Sequence, residues 1–256
     1  MAAAWSLSVE RADQLRPAGL ARPMLQLASM LDPNGIPHAV LTSEPALNHL
    51  ATHRTSQYCG SPTQEPPVVT AEETTDVLHA LHRLSLIDHS PNEPHRAVRI
   101  HQLIQRTIRD PLTPDQYDQL ARTAADALVD AWPQVERDTD LARVLRANTT
   151  ALTTFAKDSL HRPDTHTVLY RVGTSLGEAG QVNAAVDHFC HLTSTTARHL
   201  GPDHPSTLAA RHNLARWRGR AGDPAGAAAA HSALLSARMQ GSSKHRPAVG
   251  MCPSGL

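Results

Sequence analysis

The sequence is poor in aromatic residues, cysteine and lysine, and the first two shortages limit the kind of core and the kind of cross-link that the chain can form. Aromatic residues are only 3% of 256, so a core must be built from Ala, Leu and Val on closely packed helices. The three cysteines (Cys59, Cys190 and Cys252) are scattered and include no CxxC pair. That spacing argues against a disulfide framework or a zinc ribbon and suits a reducing compartment. The composition therefore predicts a mostly α-helical protein.

A net charge and a long apolar run are also missing. Lys and Arg (24) balance Asp and Glu (24), so no global field attracts nucleic acid or an anionic membrane. No stretch of 18 apolar residues predicts a membrane span, and MAAAWSLSVE lacks the basic region of a signal peptide. We therefore expect a cytoplasmic protein. Of the 24 Lys and Arg residues, only Lys157 and Lys244 are Lys. Such a bias indicates an unusual genome composition, which explains the 17 histidines better than a role in pH sensing does.

The strongest pattern is a repeat. LYRVGTSLGEAG (Leu169 to Gly180) returns as RHNLARWRGRAG (Arg211 to Gly222), at an offset of 42 residues. Each copy ends in Ala-Gly and precedes a run of small residues, which predicts a helix, a glycine stop and a second helix. Such a unit cannot bury its apolar face alone and must stack on a neighbour. Repeats of this kind usually form binding surfaces.

The first hundred residues predict helices and one hairpin. Apolar periodicity indicates helices over 5–16, 20–31, 36–41 and 45–53, with a turn at 32–35 and a Pro-rich loop at 55–70. Thr70 and Glu73 form a capping box that starts another helix. Strand-like runs at 84–87 and 97–100 then flank a polar turn, and 102–109 reads as a helix. Its inward residues are predicted to be Leu103, Ile104 and Ile108. Helix, hairpin, helix is the outline of a winged-helix domain.

Two longer helices are predicted between this region and the repeat. Thr113, Pro114 and Gln116 form a helix start with Gln116 in the capping-box position, and that helix should run to about Trp132. A partner helix is expected over 139–158. The charges in VERDTD, which include Glu136, are interpreted as a helix start that favours the helix dipole.

Two stretches resemble known families. LGPDHPSTLAARHNLARWRGRAGDPAGA resembles the 42-residue tetratricopeptide repeats of the kinesin-light-chain type, common in actinobacterial multidomain regulators. The N-terminal half resembles the segment that follows the nucleotide-binding core in STAND-class signalling ATPases (NB-ARC proteins). The matching stretches are AWSLSVERA (Ala4 to Ala12), LARPMLQLASMLDPNGIP (Leu20 to Pro37), LHRLSLID (Leu81 to Asp88) and AVRIHQLIQRTIRD (Ala97 to Asp110).

The second resemblance implies one site residue. In that family a winged helix closes on the bound nucleotide, and a His at its strand-to-helix junction contacts the β-phosphate of ADP. This role falls on His101 in VRIHQLIQ. No G-x-x-x-x-G-K-[ST] stretch occurs in the chain, so the contact would need a nucleotide-binding core on another chain. The sequence thus looks like the C-terminal part of such a regulator, either a separately encoded piece or a truncated gene.

Together these observations predict four regions and a function. The regions are a helical, winged-helix-like domain at 1–111, a helical spacer or cap at 112–160, an α-solenoid of tetratricopeptide-type helix pairs at 161–240 and a disordered tail at 241–256. We expect a non-enzymatic regulatory module whose repeats bind a protein or peptide. The candidate partner-binding residues are Tyr170, Arg211, Asn213, Arg216 and Arg218.

Other functions are less well supported. A DNA-binding winged helix is the main alternative, but the helix that would enter the groove starts with Glu72, Glu73 and Asp76. No G-x-S-x-G, H-E-x-x-H or framed carboxylate pair indicates catalysis, and no cofactor of the chain's own is predicted. The pairs His79/His82 and His188/His191 lack further convergent ligands, so no metal site is predicted. A gene fragment without independent function also remains open.

Overall fold

The computed structural model describes residues 2–54, 68–156, 158–223, 225, 226 and 228, with only the backbone of 2–6. The predicted tail at 241–256, and all but the last three residues of the predicted loop at 55–70, lie outside these ranges. The protein is mostly helical and has one small two-stranded antiparallel sheet. Two compact units, residues 1–175 and 176–256, are described separately below.

The described residues form eleven α-helices and two short strands. In chain order they are α1 (Ala2–Gln14), α2 (Ala21–Ser29), α3 (His38–Leu41), α4 (Glu44–Thr52), α5 (Ala71–Arg83), β1 (Asp88–His89), β2 (Val98–Arg99), α6 (Gln102–Arg109), α7 (Pro114–Asp130), α8 (Thr139–Ala156), α9 (Thr167–Glu178), α10 (Val182–Leu200) and α11 (Pro205–Arg220). Single 3₁₀ turns lie at Pro94–Arg96 and Ser159–His161. Among the described residues, no helix is long and apolar enough to cross a membrane.

The core of the first unit surrounds α2. This helix packs against α1, α4, α5, α6 and α7. Leu20, Met24, Leu27 and Leu31 recur at helical spacing and are fully buried, as the apolar periodicity predicts. Each such side chain contributes about 1.5–3 kcal/mol when removed from water.

Both predicted capping boxes are confirmed. The Glu73 N–H donates to Thr70 Oγ1 (3.2 Å), and the Thr70 N–H donates to Glu73 Oε2 (3.2 Å). At the start of α7, Gln116 and Thr113 exchange the same two bonds at 3.3 and 3.0 Å. Because each box satisfies backbone donors at a helix start, α5 and α7 begin where local sequence alone places them.

The sheet has a third contact outside the hairpin. β1 and β2 pair with Asp88 opposite Arg99 and His89 opposite Val98. Val98 also forms an antiparallel bridge with Ile36, since each N–H donates to the other carbonyl at 3.2 and 2.8 Å. β2 therefore lies between β1 and the segment before α3.

The predicted first strand at 84–87 is wrong, although the hairpin itself is confirmed. Leu84 ends α5, and its N–H donates to the carbonyl of Ala80. Ser85 then takes a positive φ of 56°, which turns the chain before any strand can form. Strand pairing starts only at Asp88.

The predicted interior of α6 is also wrong at one position. Leu103 is 49% exposed, whereas Gln105 is 1% exposed. The Gln105 amide donates to the carbonyls of Ala28 (3.2 Å) and Leu31 (3.0 Å), near the C-terminal end of α2. A buried amide is tolerated there because both of its N–H groups are satisfied.

α8 is tied to the turn at 32–35 by one buried amide. Asn148 Nδ2 donates to the Gly35 carbonyl (2.8 Å), and Asn148 Oδ1 accepts the Asp32 N–H (3.1 Å). Asn148 has no exposed surface. The turn itself forms as predicted, closed by the Gly35 N–H on the Asp32 carbonyl (3.3 Å).

In the second unit, α10 packs against α11. The glycines that end the two repeat copies, Gly180 and Gly222, both have positive φ, 80° and 98°. Glycine adopts this conformation without strain, so both copies stop their helix in the same way. Trp217 of α11 is fully buried against Gly177 near the end of α9, where an added Cβ would overlap the indole ring.

Candidate functional site

His101 lies between β2 and α6 and forms the N-cap of that helix. Its Nδ1 accepts the Leu103 N–H at 3.2 Å, and the residue is exposed. Because Nδ1 is an acceptor, the proton of the neutral ring is on Nε2, which becomes a donor. The arrangement places an imidazole N–H donor beside a helix N-terminus, where anions are favoured.

The same cap occurs at two other helix starts. His166 Nδ1 accepts the Val168 N–H, and His204 Nδ1 accepts the Ser206 N–H, both at 3.2 Å. His166 also donates from Nε2 to Asp126 Oδ1 (2.9 Å) and is buried. Burial lowers the pKa of His166, although the hydrogen bond to Asp126 opposes that effect. Imidazole capping is thus a recurring structural device, and the cap alone does not distinguish His101 as a binding residue.

A groove of about 740 Å³ opens beside α6, between that helix, α8 and the turn at 32–34. Leu103 and Phe155 supply large apolar surface to its lining, and Ala147 and Ala151 leave room between them. We call this the α6–α8 groove. Gln102, which directly follows His101, also lines it.

Arg109 is the most constrained charge in the α6–α8 groove. Its Nη1 donates to the Ser29 carbonyl, and its guanidinium carbon lies 3.8 Å from the centroid of the Phe155 ring. Burial lowers the pKa of Arg109, while Tyr117 and Asp110 act in the opposite direction. A half-buried cation beside exposed apolar surface suits an occupant that is both anionic and apolar.

The predicted partner-binding residues fall into separate groups. Arg211 and Arg218 are seven residues apart on α11 and share one face, whereas Asn213 and Arg216 lie on another. Asn213 Nδ2 donates to the Ala209 carbonyl (3.0 Å), and the Arg216 guanidinium carbon lies 5.2 Å from the Trp217 ring centroid. A ligand along α11 would therefore contact one pair or the other.

Tyr170, the fifth predicted residue, lies on α9 within the first unit and is half-buried.

The sequence predicts Glu136 as part of a charged helix start, whereas the structure buries its side chain in a network. Its carboxylate accepts from Trp132 Nε1 (2.7 Å) and Ser175 Oγ (2.7 Å). It also pairs with Arg171 (3.1 Å) and Arg146 (3.7 Å), and its side chain is 7% exposed. The long-range partners Arg171 and Ser175 reveal this role, since no local motif marks it. The network fixes the segment between α7 and α8 against α9.

Four histidines meet near β1. The His79 and His89 ring centroids are 5.0 Å apart, and His82 Nδ1 accepts the His89 N–H (3.2 Å). Burial lowers the pKa of His89, and His79, His38 and His82 act in the same direction. In the described part of the chain, no group of three or more His, Cys, Asp or Glu side chains could hold a metal ion.

Comparisons with known proteins cover part of this architecture. No curated protein and no solved structure matches the chain. Residues 11–117, from α1 into the start of α7, match the model of one family, and they include the hairpin, His101 and all of α6. That family is described as a domain of unknown function (DUF7779), so the segment that carries the groove-lining face of α6 is similar to a family without an assigned activity.

Proposed function

We propose that this protein is a non-enzymatic regulatory module of a STAND-type signalling system, in which its repeats bind a protein or peptide. The observation that carries the proposal is the 42-residue repeat. Gly180 and Gly222, which follow the ends of α9 and α11, both have positive φ, and Trp217 packs against Gly177. Stacked helix pairs expose extended faces that commonly bind other chains, and the proposed solenoid is of that type.

The connectivity of the first unit supports a winged-helix assignment within this proposal. The order is α2, the segment at Ile36, α3 and α4, α5, β1, β2 and α6, with β2 between Ile36 and β1. A winged helix requires a small three-stranded sheet whose hairpin follows a helix. Here the hairpin β1–β2 follows α5, which comes after the shorter helices α3 and α4, and Ile36 supplies the third paired segment. His101 then lies where a contact to a nucleotide phosphate would be expected, given a core on another chain.

The charges of α5 favour a protein partner over DNA. Glu72 and Asp76 are exposed in the first turns of the helix that a DNA-binding winged helix would insert into the major groove. Glu73 pairs with Arg54 at 3.5 Å. Phosphates would approach carboxylates there, which opposes binding.

Photo-crosslinking in the host cell tests the proposal. A benzophenone amino acid replaces Arg216 on one face of α11 or Arg211 on another, and replaces the exposed Arg83 of α5 as a matched control. We expect a discrete protein adduct from at least one α11 position and none from position 83. Equal labelling at all three positions, or adducts only with nucleic acid, would contradict the function.

Two in vitro assays on the purified chain separate the alternatives. Equilibrium binding of labelled ADP should show no binding, because a nucleotide-binding core is not part of the proposed module. A gel-shift with random duplex at low salt should show no retention. Micromolar ADP binding would overturn the proposed dependence on another chain, and retention of the duplex would favour the DNA-binding alternative.

A further inference from the structure

We propose that the α6–α8 groove is a docking site for an acidic amphipathic helix of a protein partner. The site goes beyond the function proposed above, because it requires neither the repeats nor a nucleotide-binding core. Its evidence is the chemistry of the groove lining, which combines exposed apolar surface with the guanidinium groups of Arg106 and Arg109. The one carboxylate that the described residues contribute to the lining, that of Asp32, is already bonded to Asn34.

Most hydrogen-bonding groups of the lining are already used within the protein. The Thr150 and Thr154 hydroxyls donate to the carbonyls four residues before them, both at 3.0 Å. The Gln105 amide donates to two carbonyls at the end of α2. The Asp32 carboxylate accepts both the backbone and the side-chain N–H of Asn34, each at 3.0 Å. These groups therefore need no further partner.

The groups that remain are rich in donors. Arg106 forms only an exposed pair with Asp110 (3.7 Å), which contributes little and is easily exchanged. Arg109 donates to a carbonyl and stacks on Phe155, and among the described residues no carboxylate lies within 4.0 Å of its guanidinium. A guanidinium has five N–H groups, so several are left for an incoming acceptor. Carboxylates are the acceptors that guanidinium groups bind best, often through two bonds.

The apolar lining sets the shape of the occupant. Leu103 is 49% exposed, so an apolar partner side chain would gain from covering it. Along α8 the groove runs from Ala147 to Phe155, which is about 12 Å at 1.5 Å per residue. That length matches roughly two turns of a helix, and an apolar groove is the usual receptor for an amphipathic helix.

Fluorescence anisotropy of the purified full chain tests the docking site. The probes are three labelled 14-residue helical peptides with the same leucine stripe and with Glu, Gln or Lys at the flanking positions. We expect the Glu peptide to bind about tenfold more tightly than the Gln peptide, as for a charge-assisted hydrogen bond, and the Lys peptide not to bind. Added salt should weaken the binding of the Glu peptide, because salt screens the attraction between its carboxylates and the guanidinium groups.

Variants of the groove complete the test. Leu103→Asp should abolish binding of the Glu peptide and leave the fold intact, because position 103 is half exposed. Arg109→Gln should weaken binding about tenfold, and Arg83→Gln on α5 should leave it unchanged. Circular dichroism checks that each variant is folded.

Three results of the peptide-binding assays would overturn the proposal. They are equal affinity for the Glu and Lys peptides, unchanged affinity in Leu103→Asp, and failure of all three peptides to bind at any concentration at which they stay monomeric. A dimer that Leu103→Asp converts to monomers would assign the groove to a second copy of the chain and would also overturn it.

Discussion

Trp217 occupies the space that a side chain at Gly177 would need. An added Cβ at Gly177 would overlap three atoms of the indole ring, which has no exposed surface. The two residues are 40 positions apart, so the close approach of α11 to the end of α9 depends on the absence of a side chain at 177. This contact makes the glycine a packing requirement of the repeat.

Gly177→Ala is therefore expected to destabilise the second unit. Inside a helix, exchange of Gly for Ala normally stabilises by about 1 kcal/mol, and here the clash reverses the sign. The loss should be about 1–3 kcal/mol by urea unfolding. Gly180→Asn is the matched control, since nothing lies within 4 Å of a Cβ there and Asn tolerates the positive φ of 80°. A Gly177→Ala protein as stable as wild type would contradict the packing described.

Asn148→Ala should cost the first unit about 2–4 kcal/mol. The substitution removes the donor to the buried Gly35 carbonyl and the acceptor for the half-buried Asp32 N–H, and it leaves both backbone groups without these partners. Asn213→Ala is the control, because that amide is half exposed and has only a local bond to Ala209. It should change the free energy of unfolding by less than about 0.5 kcal/mol. If both variants lost a similar free energy of unfolding, the bonds of Asn148 to the turn at 32–35 would contribute no more than the local bond of Asn213.

Glu136→Gln should be more disruptive than its conservative shape implies. The amide retains one acceptor, but Arg146 and Arg171 would lose the carboxylate that neutralises them in a nearly buried position. Breaking such a cluster costs about 3–5 kcal/mol. Asp140→Asn, which removes the exposed pair with Arg143, should give no measurable change. Thermal and urea unfolding of the two variants compare them directly, and a stable Glu136→Gln protein would show that the network contributes little.

Acid should destabilise the first unit through His49. Burial, followed by repulsion from His53, lowers the pKa of His49 to about 4, against the opposing effect of the Pro23 carbonyl. The unfolded chain therefore binds the proton first, so the stability present above pH 6.5 is lost as the pH falls from 6.5 to about 4. The total loss from this group is about 3 kcal/mol. Burial lowers the pKa values of His38, His89 and His166 as well, so they add to it.

Urea unfolding between pH 7.5 and 4.5 measures this effect. His49→Leu should flatten the dependence of the unfolding free energy on pH, because the titrating group is gone. His191→Gln, at an exposed position on α10, should leave the slope as in wild type. An unchanged slope in His49→Leu would show that His49 does not control the acid response.

Features that depend on neighbouring residues could be predicted from the sequence. The capping boxes at Thr70 and Thr113 and the turn at 32–35 depend on neighbouring residues, and all three form as predicted. Features that depend on a partner far away in the sequence could not be predicted. Gln105 is buried and Leu103 is exposed because the carbonyls of Ala28 and Leu31, at the end of α2, accept from the Gln105 amide.

The same reason explains why the role of Glu136 and the α6–α8 groove could not be predicted from the sequence. Glu136 looked like a helix-start charge, since its partners Arg171 and Ser175 are more than 30 residues away. The α6–α8 groove could not be predicted, because its walls come from separate parts of the chain. The sequence predicts His101 between a strand and a helix, and in the structure it lies between β2 and α6, where its ring caps α6. Its contact with a nucleotide stays a prediction.

The bond between Asn148 and Gly35 also has a consequence for the order in which the protein is made. The two residues are 113 positions apart in the chain, so the turn at 32–35 leaves the ribosome well before its clamp exists. At roughly 5–20 residues per second, the interval is on the order of 6–20 s. During translation, the end of α2 and the Gly35 carbonyl therefore stay hydrated until α8 has been synthesised. The N-terminal helices complete their packing only after that.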